Sequence, residues 1–196
     1  MLFRSYETPY YWPILGTRDS VPYAKVVGVG SWVVASIGCF LFLGTLPGIA
    51  TRTAFTLACL MLAMPVYDVL GDMNSVVYSI PTAWFWWGLW TLRLSRARAP
   101  ATAARLATRG LGLLMLFLSF CLPSNLVLLY GVFAFVTAVA DLPAADGSAS
   151  WWRRLLSVCL RQADVLLLPI LFWTLKKVLF PTSGPYVTYN AIRLDP

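Results

Sequence analysis

Few residues in this chain have types and spacings that could do chemistry. Arg161, Gln162 and Asp164 stand together inside a long apolar stretch. An arginine and an aspartate three apart share a helix face and can pair with each other. Ionisable groups at membrane depth are costly unless paired or facing a wet cavity. Such a cluster can pin elements together, meet a polar group on a partner, or serve an ion or proton path. Pro169 adds to it, because a proline cannot donate to the carbonyl four residues back and so frees the Val165 acceptor beside Asp164. Asp68 and Asp72 form an acidic pair at the end of another apolar block, about 40° apart on a helix. Paired carboxylates can hold a cation or share a proton. Gly71 and Asn74 beside them read equally well as a plain polar turn.

What is missing excludes more than what is present. The chain has no histidine. Imidazole ligation of haem or zinc, and Ser-His or Cys-His nucleophilic catalysis, are therefore ruled out. Cys39, Cys59, Cys121 and Cys159 all fall inside apolar blocks with no Cys-x-x-Cys pair, which reads as small buried hydrophobes rather than a thiolate site or disulfide framework. There is no P-loop, dinucleotide glycine pattern or nucleophile elbow. Tyr186, Tyr189 and Asn190 near the carboxyl end match no catalytic motif and suit a contact surface.

The elements that hold these residues follow from composition. Apolar residues make up 59% and charged residues 12%, with a mean hydropathy of +0.73. Ordinary globular chains carry about 45–50% and about 25%. The apolar residues come in long blocks separated by short polar punctuation, which predicts an all-α, polytopic integral membrane protein. Spans are expected near 25–46, 53–70, 75–92, 101–122, 126–140 and 154–180. That makes six, or five if the break at Pro123–Asn125 is only a kink in one helix. They form a single transmembrane domain over 23–180. Residues 1–22 lack the apolar core and cleavage site of a signal peptide and are expected to form an aromatic surface arm. Residues 181–196 form a polar tail. Gly28, Gly30, Gly38 and Gly44 in the first block predict close helix packing.

The last block can be read in two ways. About 22 residues separate Arg154 from Lys176, or about 33 Å of helix, one membrane thickness. Arg161 would then sit roughly 10 Å deep and Asp164 about 15 Å deep. Alternatively the segment before Val165 lies flat in the interface; Val165 to Leu175, only 11 residues, is then too short to span, and the whole block is monotopic.

A net charge of +7 would raise nucleic-acid binding in a soluble chain. Here the basic residues cluster at the ends of apolar blocks, so nucleic acid is excluded and anionic lipid is the expected partner. Trp90, Arg93, Arg96, Arg98, Trp151, Trp152, Lys176 and Lys177 are the expected interface anchors. The Arg93–Arg109 cluster favours the negative compartment for its side of the membrane. Trp84 lies about 13 Å deep, too deep for an aromatic belt. Trp84, Trp86 and Trp87 are expected to form a packing face, against another helix, a lipid, a pigment or a quinone, with a neighbouring subunit or a structural phospholipid the favoured occupant. No metal or other cofactor is expected.

These features predict a non-catalytic accessory subunit of a larger membrane complex, such as a respiratory or ATP synthase type assembly. The alternative is a small ion or proton channel or transporter using Asp164, Arg161, Asp68 and Asp72. A lipid-acting enzyme would need a base other than histidine, and no second group stands ready to help one. The mitochondrial inner membrane is favoured because accessory subunits are common there; a bacterial inner membrane is the alternative.

Overall fold

The structure is a computed structural model that describes residues 20–63, 75–97, 103–120, 125–140 and 151–179. Asp68, Asp72, Arg98, Cys121 and the residues of the polar tail lie outside this set, as does most of the aromatic arm. The described residues are helical apart from short turns, with no strand among them. The helices are α1 (Ser20–Leu43), α2 (Thr51–Ala63), α3 (Ser75–Ala97), α4 (Ala103–Ser119), α5 (Asn125–Ala140), α6 (Trp151–Arg161) and α7 (Ala163–Leu179).

Among them α1 carries a stretch, Lys25–Leu43, long and apolar enough to cross a membrane by itself. The last apolar block is not one straight helix. It breaks at Gln162, and α6 and α7 are bent by 58°. They meet the same criterion only if taken together as one broken span. The expected helix across 154–180 is thus two helices, α6 and α7.

α1 ends where Pro47 and Gly48 make a turn, with Gly48 at φ +83°. That left-handed conformation costs a glycine nothing and strains other residues. α1 has no basic residue in its own last turn. Arg93 on α3 supplies one, donating from Nη2 to the Thr45 carbonyl at 3.2 Å. A cation there satisfies a helix-end carbonyl and opposes the negative end of the helix dipole. Arg93→Gln is expected to cost about 0.5–1 kcal/mol, read as a lowered unfolding temperature in detergent, with Arg93→Lys recovering part of the loss.

Contacts along the helices set their directions. Gly38 meets Trp86 and Trp87, and Thr45 meets Arg93, so α1 and α3 run parallel. α2 returns antiparallel to α1, with the Trp32 indole donating to the Met61 carbonyl at 3.1 Å and Phe40 edge-on to Phe55. α4 runs antiparallel to α3, pairing Gly112 with Leu92 and Gly88 with Leu116. The α3–α4 crossing is close because both helices place a glycine at it, and the Gly88 and Gly112 positions each face the other's carbonyl oxygen. Small residues let helix backbones approach where dispersion and weak polar contacts must hold them.

The interior is aromatic. Trp86 packs on Phe133 at 5.0 Å and on Phe85 at 5.3 Å, and Phe42 meets Phe133 at 5.5 Å. A second cluster joins Phe117, Phe120, Tyr130 and Phe172 from α4, the turn after it, α5 and α7. Outward, the helices carry large apolar side chains such as Phe55, Leu106, Phe135 and Ile170, all exposed. Water would leave that surface unsatisfied, whereas lipid or another apolar surface would not.

Candidate functional site

The polar node of the chain forms where α4, α5 and the α6–α7 corner meet. Asp164, in the first turn of α7, takes both of its bonds to basic groups from Arg109 of α4. Arg109 donates from Nε to one carboxylate oxygen at 2.6 Å and from Nη2 to the other at 2.5 Å. This two-bond fork is the strong geometry for a guanidinium and a carboxylate. The same Nη2 lies 3.4 Å from the Arg161 carbonyl. Arg161 therefore contributes its backbone, while its side chain is exposed and the expected Arg161–Asp164 pairing gives way to Arg109–Asp164. The reason is the bend: at Gln162 the two residues leave one continuous helix, and the i, i+3 relation no longer places them on one face.

The hydrogen bonds at the node also fit the bend. In a continuous helix the Val165 amide would donate to the Arg161 carbonyl. Here it donates to the Asp164 carboxylate at 2.9 Å, and Arg109 approaches the Arg161 carbonyl instead. Side chains that enter the backbone ladder are a standard cause of kinks. Gln162 sits buried at the corner.

The Val165 carbonyl, freed by Pro169, does find a donor. Tyr130 of α5 reaches it from its hydroxyl at 2.6 Å, and Tyr130 is buried. Tyr130→Phe should remove that bond and leave a buried acceptor unmet, costing about 1 kcal/mol. Thermal unfolding of the purified chain in detergent measures it, and Pro169→Ala in the Tyr130→Phe background should recover part of the loss.

The chain matches no protein-family model, and neither a curated protein nor a solved structure shows significant similarity to it.

Beyond α3's apolar portion, Arg96 is half-buried near the node. Burial pushes its guanidinium down to about 10, and the positive charges of Arg93 and Arg109 push the same way. Asp164 opposes them. The carboxylate thus balances a basic surrounding larger than one arginine. Among the described residues no group of three or more His, Cys, Asp or Glu side chains could hold a metal.

The tryptophans divide between two faces. Trp86 is 7% exposed and belongs to the internal aromatic cluster, so it is corrected out of the expected outward face. Trp87 donates its indole N–H to the Val34 carbonyl at 2.9 Å and packs on Gly38. Trp84 and Trp87 then line an open apolar cavity of about 500 Å³ with Gly30, Val34, Ile80 and Met115. Gly30 has nothing within 4 Å of where a Cβ would stand. Trp90 packs edge-on to Trp87. Trp151 and Trp152 are exposed, edge to face at 4.7 Å. Lys176 lies over the rings of Phe172 and Trp173, and Lys177 is exposed.

Sequence reasoning missed Arg109 and Tyr130 as members of the node. The signal for Tyr130 was present: a freed Val165 carbonyl demands a donor, and Tyr130 is the one tyrosine of its block. Arg109 carried a weaker signal, as one of five arginines between positions 93 and 109.

Proposed function

We propose that this chain is a polytopic, six-span membrane protein acting as a non-catalytic accessory subunit of a larger membrane complex. The observation that carries the reading is how the polar groups are used. The Asp164 carboxylate is committed to Arg109 and to the Val165 amide, the Tyr130 hydroxyl to a backbone carbonyl, and Arg93 to a helix end. These groups serve to hold helices together, while the outward faces stay apolar. An energy-transducing assembly of a mitochondrial or bacterial inner membrane suits such a subunit, with structural phospholipid filling its grooves. Isolation from the native membrane in mild detergent, followed by native mass spectrometry, tests the proposal. The chain is expected in a stoichiometric assembly well above its own 21.8 kDa. A stable, monodisperse, protease-resistant monomer would sink it.

A second reading, an ion or proton path, draws on one observation. The Asp164 side chain is 40% exposed and borders a cavity of about 370 Å³ between α4 and α7. Reconstituted flux that vanishes in Asp164→Asn supports this reading, and unchanged flux removes it.

A further inference from the structure

We propose that α6 is a surface-lying helix that docks on an anionic phospholipid headgroup layer; this rests on the membrane reading above but not on the accessory-subunit role. The sequence of α6, WWRRLLSVCLR, has basic residues and no acidic one. Helical spacing sorts it into rows. Trp152, Leu156 and Leu160 follow one another at i, i+4 and i+8, and all are at least 60% exposed. Arg153, Ser157 and Arg161 form the next row about 100° around the helix, with both arginines exposed. Val158, on a third side, is buried against the chain. A helix with one apolar row, one cationic row and one anchored side fits the boundary between headgroups and acyl chains. The apolar row enters the hydrocarbon and the arginines meet phosphates.

The corner geometry agrees. α7 has 17 residues, about 26 Å of helix. With it inclined by the average of about 20° in the direction of the bend, the 58° corner sets α6 about 12° from the membrane plane. A protein partner would need acidic groups to face two exposed arginines next to an apolar row; an anionic bilayer supplies both surfaces at once.

Site-directed spin labelling of the full chain in phospholipid vesicles tests this. The background replaces Cys39, Cys59, Cys121 and Cys159 with alanine, and single cysteines at Trp152, Leu156 and Leu160 carry the label. Depth is read from relative accessibility to oxygen and to a water-soluble nickel chelate. All three positions are expected to be lipid-accessible at nearly equal, shallow depth, while labels at Arg153 and Ser157 favour the chelate severalfold. A depth rising by about 12 Å from Trp152 to Leu160, the rise of a perpendicular helix, overturns the proposal. So does exclusion of both reagents at Leu156 and Leu160, which means a protein covers them. Adding phosphatidylglycerol to phosphatidylcholine vesicles should draw the Leu156 and Leu160 labels deeper, and Arg153→Gln with Arg161→Gln should abolish that response. No response in the parent chain overturns the anionic preference. A label at Val33, exposed on α1, reports insertion separately. If it is water-accessible, the membrane reading fails as well. A photo-crosslinking residue at Leu156 in the otherwise unaltered chain gives an independent readout. Lipid adducts support the proposal and protein adducts overturn it.

Discussion

Gly88→Val is expected to destabilise the chain by about 3 kcal/mol, the high end for overpacking at a tight helix contact. A Cβ at Gly88 would stand 2.8 Å from Leu116 Cγ, 3.1 Å from the Gly112 carbonyl oxygen and 3.2 Å from the Leu116 amide nitrogen. A leucine side chain can turn aside, but the last two atoms are backbone. They move only if α3 and α4 separate. Separation would strip contact from Leu92, Leu116 and Phe85, which are buried at or beside this crossing. Gly112→Val should act similarly, since its Cβ would meet the Gly88 carbonyl oxygen at 3.1 Å and Leu92 Cγ at 3.0 Å. Gly110→Val is the control. It lies on the same helix with nothing within 4 Å of its added Cβ, and should change stability by a few tenths of a kcal/mol at most. Thermal unfolding in detergent measures the three variants side by side. Equal losses at Gly110 and Gly112 would show that helix propensity, not the crossing, sets the cost.

Arg109→Ala should cost about 2 kcal/mol. Breaking a buried pair costs more and an exposed pair much less. Arg109 is 17% exposed and Asp164 is 40% exposed, so solvent screens part of the effect. The loss has two sources: the fork to the carboxylate, and the contact with the Arg161 carbonyl at the corner. Asp164→Asn removes the carboxylate charge yet keeps an oxygen for the Val165 amide, so it should cost less than Arg109→Ala. A double-mutant cycle with both substitutions isolates the coupling, expected near 1 kcal/mol for a half-exposed fork. Additive effects would mean that the two side chains do not support each other. Lys in place of Arg109 should recover little, because a point charge cannot make both bonds of the fork.

The helical class was legible in the chain because apolar periodicity is local information. Each block needs only its own residues to declare itself a helix. The acceptor freed by Pro169 was legible for the same reason, since a missing N–H is a covalent fact. The identity of its donor was not. Tyr130 and Val165 are 35 residues apart, and only the packing of α5 on α7 brings the hydroxyl to 2.6 Å. Asp164 repeats the lesson. Sequence spacing points to Arg161, its neighbour at i−3, which holds for one continuous helix. The bend at Gln162 breaks that continuity, and Arg109, 55 residues away, takes the carboxylate. The tryptophans show a third form of it. The stretch from Trp84 to Trp87 reads as one aromatic face, yet α1 and α5 pack against part of it, so Trp86 turns into the core while Trp84 borders an open cavity.

The sequence by itself determined that the chain is helical and apolar, that most of its basic residues sit at block ends, and that histidine chemistry is absent. Composition and periodicity suffice for those statements because they concern single segments and residue types. Only the tertiary structure decided which glycines touch, which arginine holds Asp164, and that the last apolar block is bent. Those outcomes depend on close packing between distant segments, where a displacement of one ångström separates a hydrogen bond from a gap.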